Sequence, residues 1–428
     1  MAERSVLIVG AGVAGLAAAE RLARGGFEVT ILEARERAGG RIHTVQAQEG
    51  EFPIELGAEF VHGEKNETWK LIRETKLETQ EVPDKHWRVM NGEWEKDSEF
   101  WDELSELTEK INTNAPDEDF QSLLNRSRDL DERTKWLAKE YVEGFHAANA
   151  ERMSIHALKR AEEAAEEEEG TKQFRLADGY SKLIDRLVMQ LARGNVHLLQ
   201  NRVVKTIRWE AARVEIEAET PTGLHVYRGD CVLVTVPLGV LKKGQLLFEP
   251  EIKEKHEAID GLEMGNVVKV MLQFRSEFWE GKNFGFVHSN EKWFPTWWTD
   301  ERGPILTGWV GGPRAASLSK EGAQAIEAEA IQTLARVLKI EAKRVRDFLL
   351  QSYAHDWASD PFSSGAYSYT PVGMIEMSSR LAEPVAETIY FAGEATDGDG
   401  NQGTVHGALM SGKRAGDEIV KSVEILKR

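Results

Sequence analysis

A single cysteine, Cys231, stands in 428 residues, so no disulfide framework is expected, and its apolar surroundings read as core. No apolar run approaches the length of a membrane span. No internal repeat and no low-complexity linker breaks the chain. Positive charge is scarce: 54 Lys and Arg face 72 Asp and Glu, a net charge of −18. That balance argues against a nucleic-acid partner and suits cationic ligands, though only weakly. The first strand-like run begins at about Ser5, so no signal peptide is expected before it. The chain stops at ILKR after its final helix, which leaves no room for an anchor. A cytoplasmic protein with no membrane partner is the expectation. At 428 residues the chain exceeds one ordinary core and predicts two domains.

What is present is glycine, at both ends. SVLIVG, from Ser5, reads as a buried parallel strand. Gly10, Gly12 and Gly15 follow as G-x-G-x-x-G. The first permits the tight turn, the second lets a phosphate approach the backbone, and the third lets helix pack on strand. A helix from Val13 to about Arg24 then aims unpaired N–H groups at a pyrophosphate. The next strand, FEVTILEA, ends near Glu33, whose carboxylate suits ribose hydroxyls and repels a 2′-phosphate. Gly39 and Gly40 offer a second backbone approach, and Arg41 a bidentate donor to phosphate. Near the other end, IYFAGEATDGDGNQGTVHGALMSGKRAG (389–416) repeats the strand–loop–helix pattern. The nucleotide-binding unit is thus closed by the last residues made, with the middle of the chain inserted.

RERAGGRIHT, directly after Glu33, resembles the flavin amine oxidase family, which includes polyamine, monoamine and L-amino-acid oxidases. The resemblance recurs in order in ELGAEFVHG (55–63), CVLVTVPLGVLK (231–242), GNVVKVMLQF (265–274) and HDWASDPFSSGAYSY (355–369). It matches only loosely between about 80 and 175. It implies an α/β protein with a discontinuous Rossmann-like FAD-binding domain (1–75, 175–262 and 385–428). An α+β substrate-binding domain, a mixed sheet flanked by helices, takes 76–174 and 263–384. The chain then crosses between domains four times. Residues 76–174 read as helical and polar, and one helix, Glu321 to Leu338, is expected between Gly265 and Pro384. Leu176 to Ala192 reads as an amphipathic helix. In Glu162 to Gly170, like charges at i,i+4 weaken a helix; a solvated helix end and an acidic rim drawing in polyamines both suit the run.

The resemblance assigns FAD contacts to Gly10, Gly12, Gly15, Glu33, Ala34, Arg35, Gly40, Arg41, Gly57, Ala58, Glu59, Val204, Trp357, Gly393, Glu394, Gly403, Thr404 and Val405. Val203 and Val204 would meet the adenine, and Glu394 the ribityl or phosphate region. Thr404 and its helix would point an N-terminus at the flavin's N1–C2=O edge and stabilise its anionic reduced form. Monoamine oxidases tether flavin through a cysteine near this end; none exists here, so FAD is expected to be noncovalent.

Lys269 stands in an apolar strand, where charge is costly unless satisfied. Strand alternation alone also allows it an exposed face. The resemblance matches it to the lysine that holds a water against flavin N5 and assists oxygen reduction. His62 is either a hydrogen-bonded interface residue or, as in animal-type polyamine oxidases, part of the substrate site. Plant enzymes carry an acid there. Glu59 is close by, its direction left open by strand alternation. Trp357 with Tyr367 or Tyr369 would exclude water and hold an amine by cation–π contact, or simply pack in a core. Thr404 replaces the tyrosine of monoamine oxidases and plant polyamine oxidases, so a two-tyrosine cage is not expected.

The expected function is FAD-dependent oxidation of a polyamine or related small amine, with O2 reduced to H2O2 and the imine hydrolysed. Four rivals are weighed. Monoamine oxidase-like selectivity for arylalkyl amines is the hardest to exclude. An L-amino-acid oxidase would need an arginine where Glu59-Phe60 stands. A flavin-binding protein without catalysis fits poorly with an intact Lys269. A histone demethylase would need a helical insertion and an accessory domain for which 428 residues leave no room. No metal site and no oligomeric state is indicated.

Overall fold

The structure is a computed structural model describing residues 4–50, 52–97, 105, 107–192, 194–279 and 285–425. Its first layer is a five-stranded parallel sheet in the order Val196–Leu199, Glu28–Leu32, Ser5–Val9, Cys231–Val234, Ile389–Phe391. These runs are apolar on both faces because both faces are covered. On one side lie the helices Val13–Arg24, Ser181–Leu191 and Val405–Ile425. On the other lies a four-stranded sheet of Gly223–Gly229, Arg213–Thr220, Val203–Glu210 and Leu247–Glu249. The first and last long helices pack most intimately. A side chain added at Gly412 would meet the Ala14 carbonyl oxygen at 2.1 Å. Cys231 lies buried in its strand, as expected.

The second layer is a seven-stranded mixed sheet. Its order is Leu349–Ala354, Val267–Phe274, Ile305–Gly311, Thr296–Asp300, Phe286–Ser289, His86–Met90, Glu93–Asp97. One pairing, between Phe286–Ser289 and His86–Met90, is parallel and the rest are antiparallel. Helices Gly312–Leu318 and Ala323–Leu338 cover its far face. The helices Phe120–Arg126, Glu132–Gly144 and Ile155–Glu167 form a separate apolar cluster. The α/β class stands.

Three local expectations need correction. Residues 76–174 are not wholly helical: Thr79–Glu81, His86–Met90 and Glu93–Asp97 are strands. The last two form a hairpin on Asn91 and Gly92, both at positive φ (51° and 77°), the requirement of a tight primed turn. Between Gly265 and Pro384 there are four α-helices among the described residues, not one: Pro313 opens Gly312–Leu318, and Ala342–Phe348 and Met377–Ala382 add two short ones. Leu176 belongs to the strand Gln173–Leu176, and the amphipathic helix begins at Ser181.

Candidate active site

The two sheets are joined by a cavity of about 1120 Å³. Every candidate site residue named from the sequence lines it except Gly15. Gly15 acts one layer behind: a Cβ there would lie 2.1 Å from the Gly10 carbonyl oxygen, so only glycine lets this helix close on its strand. A Cβ on Gly12 would meet nothing within 4 Å; the backbone there is open to the cavity. The helix behind it has no acidic residue in its first turn and no side-chain cap, leaving its amides available to an anion. Glu33, buried, accepts from the Ala11 amide (2.7 Å) and the Arg35 amide (2.9 Å). It therefore braces the loop from the ribose side.

The second glycine-rich segment closes the same end. Thr404 caps the helix Val405–Ile425: its Oγ1 accepts from the Gly407 amide (3.0 Å) and donates to the Asn401 carbonyl (2.7 Å). Glu394 ties three segments together. It pairs with Arg41 (2.9 Å), accepts from the Ser368 hydroxyl (2.6 Å) and accepts from the Gly403 amide (2.9 Å). Arg35 pairs with Asp360 (2.6 Å) and faces the Phe362 ring. Val204 lines the nucleotide end. An open glycine loop, two helix N-termini and a buried ribose-side carboxylate are the donor and acceptor set a dinucleotide needs, so the residues fit FAD.

At the other end stands Lys269, 4 % exposed. Strand alternation left it two environments; the structure buries it and satisfies it. Its ammonium lies 2.7 Å from Glu59 Oε2 and donates to the Gly57 carbonyl at 3.2 Å. Glu59 also accepts from Arg175 (2.8 Å) and from the Trp298 indole (3.0 Å). Burial pushes the Glu59 carboxyl up, but Lys269 and Arg175 outweigh it and hold it down near 2. A buried carboxylate is stable only when paired and hydrogen-bonded in this way. Sequence reasoning named Glu59 and Lys269 separately and had no signal that they meet.

His62 lines the cavity edge-on to Phe145, and burial alone pushes its imidazole down to about 4. Its buried Nδ1 has no partner among the described residues. Trp357 donates its indole N–H to the Leu56 carbonyl and backs Gly57. The two tyrosines separate. Tyr367 lies against Gly403, with its hydroxyl on the Phe145 carbonyl (2.6 Å). Tyr369 is built into the helical cluster with Phe120, Leu137 and Val142. The aromatic wall that sequence reasoning missed is on the seven-stranded sheet. Phe286, Trp298 and Trp309 share the face that carries Lys269, and Phe60 packs against the first two. Adjacent tryptophans in PTWWTD were the available hint. The arginines among the described cavity-lining residues, Arg35, Arg41 and Arg202, all sit at the nucleotide end. Among the described residues no cluster suited to a metal and no helix long and apolar enough to cross a membrane is present.

The pattern of the flavin containing amine oxidoreductase family matches residues 13–153 and 95–420. Polyamine oxidase 4 of Oryza sativa subsp. japonica is 30% identical over 467 residues, covering 99% of this chain and 90% of its own. Lysine-specific histone demethylase 1 homolog 2 of Arabidopsis thaliana is 30% identical over 455 residues, covering 99% of this chain but 59% of its own. The chain thus spans little more than half the length of its demethylase relatives. Among solved structures, wild-type putrescine oxidase bound to putrescine superposes with a TM-score of 0.81 at 22% identity, covering 100% of this chain and 99% of its own. Cyclohexylamine oxidase from Brevibacterium oxydans IH-35A gives 0.82 at 21%, covering 99% and 100%. These two establish likeness of fold.

Proposed function

Since the chain belongs to the flavin containing amine oxidoreductase family, we propose that it is an FAD-dependent oxidase of a small amine, with a polyamine or diamine as the preferred class. The observation that carries this reading is the single cavity running from the phosphate loop at Gly12 to the buried Lys269 and its aromatic wall. Gly12, the helix behind it, Glu33 and the Thr404-capped helix would hold the cofactor. The chemistry a bound flavin supplies is acceptance of two electrons from the amine's C–H bond and their return to oxygen.

The chain's own residues do the rest. Phe60, Phe286, Trp298 and Trp309 exclude water and offer faces to a cationic amine. Lys269, fixed by Glu59, places a positive charge and an N–H donor at the inner end, where a water or a developing peroxide charge is held. His62 stays neutral across ordinary pH, so it accepts or donates hydrogen bonds without titrating. With the described cavity-lining arginines confined to the nucleotide end, no arginine among the described residues lines the cavity beside Lys269 to clamp an α-amino carboxylate.

The test is peroxide production from spermine, spermidine, N-acetylated polyamines, putrescine, phenethylamine, cyclohexylamine and the common L-amino acids. We expect a di- or polyamine to turn over fastest. Faster turnover of any L-amino acid than of every amine would overturn the assignment. The four-ring wall also suits arylalkyl amines, and phenethylamine leading the panel would favour that second reading. Cys231 is buried in its strand, so FAD is expected to leave with the supernatant when the yellow protein is precipitated by acid; colour kept by the pellet would mean a covalent bond.

A further inference from the structure

The face that carries Lys269 continues, strand by strand, into a row of polar residues that the reading above does not use. In register across the sheet stand Lys269, Trp309, Thr296 and His288. We propose that Thr296, His288, His86 and Asp84 form a proton file that takes the proton a bound ammonium must lose and delivers it to solvent. The proposal rests on the amine-oxidation reading, because only that chemistry demands such a proton.

The geometry is continuous. Thr296 Oγ1 lies 3.5 Å from His288 Nδ1. His288 Nε2 lies 2.9 Å from His86 Nδ1, with the two rings parallel within 4°. His86 Nε2 lies 2.9 Å from Asp84 Oδ1. The inner three residues line the cavity, while the Asp84 side chain is 66% exposed. One end therefore opens on the cavity and the other on water. Neighbouring strands are about 4.8 Å apart, so Thr296 starts roughly 10 Å from Lys269.

The polarity of the file is fixed from outside. The Asp84 carboxylate can only accept, so His86 carries its proton on Nε2 and leaves Nδ1 as an acceptor. His288 must then donate from Nε2, which leaves its Nδ1 to accept from the Thr296 hydroxyl. Every donor points away from the cavity. Burial and the neighbouring His86 and Arg88 keep His288 neutral. Among the described residues the charged groups facing the two rings are Asp84, Arg88 and Asp97, and the last two pair with each other at 2.6 Å.

The transfer balances. The ammonium proton moves to the Thr296 oxygen as the hydroxyl proton moves to His288 Nδ1. The His288 Nε2 proton passes to His86 Nδ1, and the His86 Nε2 proton passes to Asp84 and then to water. One proton leaves, one neutral amine remains, and no electrons move. Formation of H2O2 from O2 and the two electrons and one proton of a hydride takes up one further proton, and its return along the same route restores the starting tautomers.

The test is anaerobic reduction of the FAD-loaded protein by its best amine, for the parent, His288→Gln and His86→Gln, from about pH 7 to about pH 10.5, where a free alkylamine is half deprotonated. The variants should reduce about 10- to 100-fold more slowly near neutrality, approach the parent at high pH, and recover in part with added imidazole. Long-range proton–nitrogen correlation spectra of histidine-labelled protein give a readout independent of turnover: both rings should be neutral with the proton on Nε2. Variants that match the parent at every pH, a loss that neither pH nor imidazole relieves, or a proton on His288 Nδ1 would each overturn the file. A parent that no amine reduces overturns the amine-oxidation reading instead, and this role with it.

Discussion

At the scale of single residues the site depends on one buried carboxylate. Glu59 faces two cations and an indole with almost no access to water. Removing one member of such a pair strands the others, which costs about 3–5 kcal/mol. Glu59→Gln should therefore lower the unfolding free energy by about that much in urea titrations. Adding Lys269→Met should recover part of the loss, since contacting sites are not additive; strictly additive effects would mean that the two do not interact. The pH dependence has a definite sign. The folded pKa of Glu59 lies below its unfolded value, so its contribution is present above about 4.3 and is lost as pH falls toward 2. Lys269→Met alone should slow the oxygen reaction of the reduced protein by roughly 10²-fold while amine binding changes little. A variant reoxidised at the parent rate would remove Lys269 from that step. His62 supplies a contrast. Its pKa is held at about 4 by burial, so the rise of kcat/KM between neutral and alkaline pH should follow the substrate amine and persist in His62→Gln.

At the scale of elements, close approach decides what can be substituted. The helices Val13–Arg24 and Val405–Ile425 cross at Gly412, where a Cβ would come within 2.1 Å of the Ala14 carbonyl. Backbone cannot yield there as a flexible side chain would. Gly412→Ala should destabilise the fold by about 1–3 kcal/mol, the usual cost of overpacking, and should weaken FAD retention because both helices end on the cofactor cavity. Unchanged melting and flavin content would show that the crossing can open. Elements of this kind were legible in the sequence. Gly10, Gly12 and Gly15 are there for backbone reasons that no side chain can meet, so their spacing survives as a pattern. The hairpin at 86–97 was missed: Asn91-Gly92 was the available turn signal, but its strands mix tryptophan with charge in a region that reads as polar helix. The four-residue register from Lys269 to His288 was not legible. It joins strands at 267–274, 286–289, 296–300 and 305–311, and pairing order is a tertiary fact that periodicity does not carry. The same holds for Glu59: alternation gives a direction to a residue in a strand, yet Glu59 lies just before the short strand Val61–His62, where no alternation applies.

At the scale of the whole molecule, charge is the property most open to test. The net charge is −18, and part of the acid is placed rather than spread. Glu140, Glu162, Glu166, Glu168 and Glu169, on or beside the helices Glu132–Gly144 and Ile155–Glu167, line the cavity at the end away from the nucleotide. Not all of it acts at long range. Glu162 accepts from Tyr141 and lies 3.3 Å from His146, and Glu169 is paired with Lys65 and Lys172. Burial pushes the Glu168 carboxyl up to about 7. Its folded pKa is raised, so its charge develops only as pH rises through neutrality, in the same direction as substrate deprotonation. The field of such a wall acts within the screening length, about 10 Å at 0.1 M salt and about 30 Å at 0.01 M. An incoming diamine carries two charges into it and a monoamine one. Raising salt from about 0.01 M to about 0.3 M should therefore raise KM several-fold for putrescine or spermidine and distinctly less for phenethylamine. The turnover of bound substrate should stay level, because Lys269 and Glu59 are buried from the ions. Replacing Glu168 by glutamine should flatten the salt response of the diamine above neutral pH and leave it unchanged at pH 6, where the carboxyl is already mostly protonated. Equal salt slopes for the one- and two-charge amines would mean that the acidic wall does not guide substrate, and the preference for di- and polyamines would then have to come from the aromatic wall alone.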